Sequence, residues 1–366
     1  MIKQKTIKGN EKKKIQIIMG IVAIVLFFCG VIKIDKSGNL VIVGFNINEI
    51  IDKASKNIYA DSDYKTERND NEGINYNESS NGGNNNVGNN STKNNDVKNV
   101  LSGVGLNQNF TNEEDLFVYF FDVGQADSIL IYNDNESMLI DAGNNDDGHL
   151  ICDYIKSLGI TKIDYLVGTH PHEDHIGGLD NVIKTFEIGN IYMPKKSATT
   201  KTFEDVVDAM ADKKLKASSP KIGSTFNIGN AVCEIMTKDD NAEEANQSSI
   251  CIEMTYGTQK FLFTGDMETP NESSRSWNDI DVLKVAHHGS TSSSSKKFLN
   301  QAKPEIAIIS CGEGNDYGHP HKEILKRFEN INCEVYRTDL LGTILLKSNG
   351  TTNELEFIEV SMDGNK

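Results

Sequence analysis

The chain has 366 residues, 25% of them charged and 37% hydrophobic, with a formal net charge of −16 at pH 7. Asp and Glu number 53 against 37 Lys and Arg, and so acidic a surface repels polyanions unless a local patch or bound metal ions reverse the field. Tight, sequence-independent binding of long nucleic acid depends on many Lys and Arg contacts to phosphate and is therefore disfavoured.

Length alone admits two domains, but the first third of the chain differs from the rest. Residues 1–14 form a basic tail holding Lys3, Lys5, Lys8, Lys12, Lys13 and Lys14, and an uncharged apolar run of 18 residues follows from Ile15 to Ile32. That is close to what a helix needs to cross a bilayer. Positive flanks stay in the cytoplasm, so the pattern predicts a single-pass membrane anchor with everything after Lys33 outside the cell. A cleaved signal peptide shares the basic start, yet Phe27-Phe28-Cys29-Gly30 offers no small residues before a cut. Residues 1–36 hold eight lysines against Glu11 and Asp35, so 29 basic and 51 acidic side chains remain and the exported part carries −22.

In the juxtamembrane segment, residues 33–60, Leu40-Val41-Ile42-Val43 suggests a strand and the stretch from Ile47 to Ile58 a short amphipathic helix; neither suggests a function. Residues 61–112 turn into Asn, Gly, Ser and charge, as in Asn81-Gly82-Gly83-Asn84-Asn85-Asn86. Too few apolar side chains occur there to offset ordering entropy, which predicts a disordered linker. The six cysteines, Cys29, Cys152, Cys233, Cys251, Cys311 and Cys333, include no Cys-x-x-Cys pair. Buried unpaired thiols are expected rather than a disulfide framework or a zinc finger.

Residues 113–366 read as one globular domain. Strands are expected at Leu116 to Val123, Ser128 to Tyr132, Met138 to Asp141 and Tyr165 to Thr169, and helices at Leu150 to Leu158 and Phe203 to Leu215. The mixture recurs with strands at Ala231 to Met236, Ile250 to Tyr256, Lys260 to Thr264, Asp281 to Ala286 and Glu305 to Ser310. Two successive β-rich halves with interspersed helices suit two packed sheets covered by helices, an α+β arrangement.

After the apolar Tyr165-Leu166-Val167 comes Thr169-His170-Pro171-His172-Glu173-Asp174-His175-Ile176-Gly177-Gly178. His170, His172, Asp174 and His175 place four ligand-bearing side chains within six positions. Two metals held close together need roughly six ligands and a bridge, and clusters at strand ends are a common way to build such a site.

His-x-His-x-Asp-His resembles the central motif of the metallo-β-lactamase fold superfamily, which implies a four-layer αββα sandwich. The resemblance extends to Leu139-Ile140-Asp141-Ala142-Gly143, with Asp141 expected to orient ligands. It also extends to Phe263-Thr264-Gly265-Asp266, with Asp266 as the metal bridge, and to Val282-Leu283-Lys284-Val285-Ala286-His287-His288-Gly289-Ser290. The resemblance implies that one of His287 and His288 completes a site with Asp174 and His175 while the other faces the substrate; which is which stays open. The superfamily usually carries a further histidine before the bridging Asp, but residues 176 to 266 contain none. The site of His170, His172 and Asp266 is therefore one protein ligand short. Asn246, Ser248 or Ser249 stands where that ligand should come, and oxygen donors would shift preference from zinc towards manganese. Two divalent ions, zinc or manganese, are expected, one of them in a weaker site.

Other strings resemble the extracellular hydrolase domain of the late competence protein ComEC: Phe121-Asp122-Val123-Gly124-Gln125-Ala126-Asp127, His287-His288-Gly289-Ser290, Tyr317-Gly318-His319-Pro320-His321 and Arg337-Thr338-Asp339. This likeness covers about Leu116 to Val360. Ala126 stands where that family usually has Gly and His172 where it commonly has Asp. A single membrane segment is also not expected to form that family's DNA channel. The likeness implies a phosphodiesterase or nuclease, acting on a phosphodiester such as DNA or RNA through a metal-activated hydroxide. Asp174, His288 and His319 are the candidates for catalysis, His319 by contacting phosphate or as a general acid. Asp122, Gln125, Asp127, Asn246, Ser249 and Ser290 are the expected pocket-rim or supporting residues, and Ser290 to Ser295 reads as a flexible lip. The chain also resembles the teichoic acid phosphorylcholine esterases, whose quaternary ammonium group would want an aromatic cage near Trp277. A tethered, non-catalytic binding module is the reading from a different class. No protein partner is indicated.

Overall fold

The computed structural model describes residues 32–34, 40–42 and 115–358, which fall in two units, residues 1–95 and 96–366. In the first unit, β1 (Ile32–Ile34) and β2 (Leu40–Ile42) pair antiparallel, Ile32 opposite Ile42 and Ile34 opposite Leu40. The strand expected at Leu40 is present, and Ile32, the last residue of the expected membrane run, opens a strand. The rest of that run, the helix expected over 47–58 and the linker over 61–112 lie outside the described residues. Among the described residues, no helix is long and apolar enough to cross a membrane.

The second unit is built on two sheets, each part antiparallel and part parallel. The first contains β3 (Leu116–Phe120), β4 (Ser128–Asn133), β5 (Glu136–Ala142), β6 (Lys162–Val167), β7 (Glu187–Tyr192), β8 (Ala217–Ser218), β16 (Thr343–Ser348) and β17 (Asn353–Ile358). Their spatial order is β17-β16-β3-β4-β5-β6-β7-β8, antiparallel as far as β5 and parallel from there to β8. The second contains β9 (Thr225–Ile228), β10 (Ala231–Thr237), β11 (Cys251–Tyr256), β12 (Gln259–Phe263), β13 (Val282–Lys284), β14 (Ile306–Ile309) and β15 (Glu334–Arg337), in the order β15-β14-β13-β12-β11-β10-β9. Here the parallel part runs from β12 to β15.

Strand alternation divides the core into three layers of side chains. Leu116, Val118 and Phe120 of β3 pack against Ile252, Met254, Phe261 and Phe263 of the second sheet. The intervening Phe117 and Tyr119 turn to the other face and meet the helices there. Both faces are buried, which is why this strand reads as an unbroken apolar run rather than an alternating one.

Helices α1 (Gly148–Ser157), α3 (Leu179–Thr185) and α4 (Lys201–Asp212) cover the first sheet. Ile151, Cys152, Tyr154 and Ile155 form one face of α1 at helical spacing and enter that core. On the far side of the second sheet, α6 (Lys296–Ala302) contributes Phe298 and Leu299 and α7 (Lys322–Glu329) contributes Ile324 and Phe328, together with Leu283 and Val285. The layers thus run helices, sheet, sheet, helices, in keeping with the expected sandwich. Side-chain caps fix two helix starts: Thr200 accepts from Phe203 N (3.3 Å) at α4 and Ser295 from Phe298 N (3.2 Å) at α6. The five described cysteines are all buried and unpaired, as expected.

Candidate metal centre

Parallel pairing brings the motif residues together. In the first sheet Ile140 pairs with Val167, so the end of β5, with Asp141, lies beside the loop that leaves β6 for His170. In the second, Phe263 pairs with Lys284, so Asp266 and His287 leave adjacent strand ends, and His287 N donates to Gly265 O (3.2 Å). The short helix α2 (Glu173–Ile176) carries Asp174 and His175. Gly177 allows α2 to rest on the neighbouring loop, since a Cβ there would lie 2.2 Å from the carbonyl carbon of Asn144.

Asp141 acts as the local organiser. Held in the left-handed region (φ 58°), it accepts from Thr169 N (2.8 Å) and Thr169 Oγ1 (2.7 Å), and its Oδ2 accepts from His175 Nδ1 (2.8 Å). With Nδ1 donating to Asp141, His175 directs Nε2 towards Asp266 Oδ1 (3.3 Å), the atom an ion would take. His288 repeats the device: Nδ1 donates to Ser310 O (3.0 Å), leaving Nε2 facing Asp174 Oδ2 (3.3 Å) and Asp266 Oδ1 (3.8 Å). This puts His288 in the cluster with Asp174 and His175.

His170 Nε2 and His172 Nδ1 converge at 3.0 Å, and His170 Nε2 lies 3.7 Å from Asp266 Oδ2. Ser249 Oγ props this side, accepting from Asp266 N (3.1 Å) and meeting His170 Nδ1 at 3.3 Å. The Asn246 amide nitrogen stands 3.4 Å from both ring nitrogens of His287.

A cation fits these residues. The Nε2 atoms of His175 and His288 and Oδ1 of Asp266 are buried with no hydrogen-bond partner in the structure, each a cost of about 1–3 kcal/mol if left unmet. All three point into one space. Electrostatics agree: burial opposes charge on His175, but Asp266, Asp174 and Asp141 carry its pKa well above the ordinary range. Burial likewise works against charged His288, yet Asp266 and Asp127 raise it to about 10. Burial and the charge on His175 push His170 well below its usual value. Protons on two histidines thus do part of what divalent ions would do among four carboxylates.

Around this centre, Gln125 spans two loops: Oε1 accepts from Gly312 N (3.1 Å) and Nε2 reaches His319 Nδ1 at 3.5 Å. Asn315 clamps the same loop, accepting from His319 N (2.9 Å) and donating to His319 O (2.6 Å). The His319 ring centroid lies 5.7 Å from that of His287 and 6.4 Å from that of His288. Burial, with His288 and His287 adding to it, lowers the His319 pKa to about 4. Asp122 accepts from Gly124 N (3.3 Å) within its own turn.

Two expectations are corrected. Ser290 to Ser295 is not a loose lip, because Ser293 and Ser294 are buried, their carbonyls accept from Arg327 Nη1 (3.0 and 2.9 Å), and Ser295 N donates to Glu272 Oε2 (2.9 Å). Trp277 forms no cage: it is buried, donates Nε1–H to Glu272 O (2.8 Å), and packs edge-on against Phe298. Sequence reasoning missed Lys284, whose signal was a cation inside the apolar Val282-Leu283-Lys284-Val285. It also missed Ser292, Ser310 and Asn315, whose roles depend on loops meeting in space.

A family model of the metallo-beta-lactamase superfamily matches residues 121–313, more than half of the chain. ComE operon protein 3 of Bacillus subtilis is 29% identical over 250 residues, covering 62% of this chain and 32% of that protein. Recombination protein 2 of Haemophilus influenzae is 29% identical over 230 residues, 61% of this chain and 28% of the relative. Competence protein ComA of Neisseria gonorrhoeae is 30% identical over 238 residues, 63% and 32% respectively. The chain spans about three-tenths of the length of the curated relatives it matches. The stretch matched by the family runs from the first strand's turn through every strand end that feeds the His and Asp cluster, and the chain belongs to the metallo-beta-lactamase superfamily, as a distant homologue of these competence proteins.

Proposed function

We propose that the chain is a metal-dependent phosphodiesterase with two divalent ions, zinc or manganese, tethered to the membrane by its N-terminal apolar segment with the hydrolase domain outside the cell. The observation that carries the metal chemistry is Asp266, whose two carboxylate oxygens face different histidines, Oδ1 towards His175 and His288 and Oδ2 towards His170. When bound, two divalent ions supply Lewis acidity towards a phosphoryl oxygen and lower the pKa of a coordinated water.

The chain's own residues do the rest. Asp141, Thr169, Ser249 and Ser310 hold the ligands in one tautomer and orientation. Asp174, with a third of its side chain exposed, forms the open side of the cluster. Gln125 donates to His319 Nδ1, which leaves the ring proton on Nε2, available to a phosphoryl or leaving-group oxygen. The charge of −22 on residues 37–366 favours a short diester, or the end of a DNA or RNA strand, over wrapping of a long polyanion. Burial of Trp277 leaves a phosphorylcholine ester without the aromatic cage its quaternary ammonium group would want.

The test uses the full-length chain with bis-p-nitrophenyl phosphate and single-stranded DNA, under Mn²⁺ or Zn²⁺, beside His172→Ala and Asp266→Ala. Turnover that needs metal and is lost in both variants is expected; no metal-dependent turnover of either substrate refutes the reading. Digestion of the domain by protease added to intact cells is the expected outcome for an external location, and its survival there contradicts it.

A further inference from the structure

Among residues 176 to 266 there is no histidine, so the sphere built by His170 and His172 lacks the third imidazole its family usually supplies. Resting on the two-metal reading above, we infer that the consecutive histidines of the Ala286–Gly289 turn serve different metals. His288 belongs with Asp174 and His175, and His287 fills the open position beside His170, His172 and Asp266.

The bridging carboxylate divides the two rings. Asp266 Oδ1 faces His175 Nε2 (3.3 Å) and His288 Nε2 (3.8 Å), whereas Oδ2 faces His170 Nε2 and His287 Nε2, both at 3.7 Å. Each oxygen therefore has its own pair of imidazoles, one from each sheet.

The backbone is shaped to produce that division. His287 and His288 both occupy the left-handed region, with φ of 52° and 51°, a conformation that non-glycine residues seldom adopt even singly. Their rings diverge, with centroids 6.3 Å apart and planes at 70°. A turn presenting one ligand and one bystander needs no second left-handed residue.

Tautomer control points the same way. His287 Nδ1 lies 3.0 Å from Ser292 Oγ, which in turn reaches Ser290 Oγ at 3.2 Å. A proton held on Nδ1 leaves the Nε2 lone pair directed at Asp266, as Asp141 arranges for His175 and Ser310 for His288. The Asn246 amide occupies the stretch where the missing histidine would come, and it lies against the His287 ring with its Oδ1 buried and without a hydrogen-bond partner. The clusters whose ligand atoms all fall within 4.8 Å of one another include His288 but neither His172 nor His287, so the inference requires both of these rings to turn towards Asp266 when metal binds, and His287, 24% exposed, has room to do so.

The experiment is a titration of the metal-free full-length chain with Mn²⁺, read by calorimetry, metal content after desalting and electron paramagnetic resonance. Wild type is expected to bind two ions and give an exchange-coupled signal. His287→Ala should retain one ion with a six-line mononuclear spectrum, its second affinity falling by more than the roughly 10–100-fold typical of losing an outer partner. His172→Ala should lose the same ion, and combining it with His287→Ala should add no further loss of stoichiometry. If His287→Ala fails to fold, His287→Asn carries the same test, because Asn tolerates the left-handed backbone. Two ions bound at wild-type affinity in the folded variant overturn the inference while leaving the metal centre intact. Fewer than two ions in wild type overturn both this inference and the two-metal reading.

Discussion

Lys284 Nζ lies 2.7 Å from Asp127 Oδ2, an ion pair that joins the second sheet to the turn after β3 with both side chains closed to solvent. The other oxygen of Asp127 lies 3.4 Å from Nδ1 of His288, and Lys284 also donates to Val285 O (3.1 Å). The pair ties a candidate metal ligand to the core of the fold. Lys284→Met strands a buried carboxylate and should destabilise the protein by about 3–5 kcal/mol in denaturant unfolding, much of it recovered when Asp127→Leu is added. Burial opposes ionisation of Asp127, but Lys284 and His288 hold its pKa well below the carboxylate range. A depressed carboxylate stabilises the fold fully above its unfolded value near pH 4 and progressively less as pH falls towards the folded value. The wild-type loss of stability below about pH 4 should therefore be shallower in the double variant.

Asp141 touches no substrate in this scheme, yet it accepts three hydrogen bonds, two from Thr169 and one from His175. Asp141→Asn replaces one acceptor oxygen by a donor and releases the His175 tautomer. Metal affinity should drop about 10–100-fold, and the metal-free protein should also melt lower, because the buried His175 imidazolium loses a carboxylate partner; calorimetric titration and thermal melting measure the two effects.

Metal and protons compete for the same atoms. His175 is held well above its ordinary pKa and His288 at about 10 by surrounding carboxylates, so at neutral pH both carry protons that an ion must displace. Apparent affinity should rise with pH, by up to about tenfold per unit for each proton released, and flatten only once both histidines have lost those protons. Calorimetry in buffers of different ionisation enthalpy counts those protons; zero release would contradict the electrostatic picture.

Which parts could be read from the sequence follows from how local the determinants are. His170, His172, Asp174 and His175 are neighbours in the chain, and Asp141, Asp266 and His288 each follow an apolar run, so all were found at the ends of expected strands. The burial of β3 on both faces gave Leu116 to Phe120 a continuous apolar string that was easy to place. By contrast, β7 carries Glu187, Gly189 and Asn190 among its apolar residues, and its pairing with β6 and β8 makes it a strand. The assignment of His288 to one cluster and the fixed form of the serine loop depend on Ser310, Arg327 and Glu272, which lie 22, 33 and 23 positions from His288, Ser294 and Ser295 respectively. No local pattern encodes such partners.

His319 is separable from the metal ligands by experiment. Its ring is positioned by Gln125 and Asn315, and its proposed task is to donate to the reacting group. His319→Ala should lower kcat by about 10²–10³-fold while metal content stays at the wild-type level. A parallel loss of bound metal would instead place His319 among the ligands.

Gly177 offers the sharpest test of how the fold holds α2. A Cβ at this position would stand 2.2 Å from Asn144 C and 2.3 Å from Asn145 N, backbone atoms that cannot rotate aside. Gly177 N also donates to Gly143 O (2.9 Å), so the contact between the two loops is already tight. Gly177→Ala must push α2, with Asp174 and His175, away from the Asp141 loop. Overpacking of this kind costs about 1–3 kcal/mol, a fall of about 2–12 °C in Tm for a domain of this size, and it should weaken metal binding as well. Gly159→Ala provides the control: its φ of +81° makes alanine strained, but nothing lies within 4 Å of the added Cβ. That variant should lose some stability and keep its metal affinity, because the strain is confined to a turn after α1. Equal effects of the two substitutions on metal binding would mean that the Gly177 contact does not position the ligands.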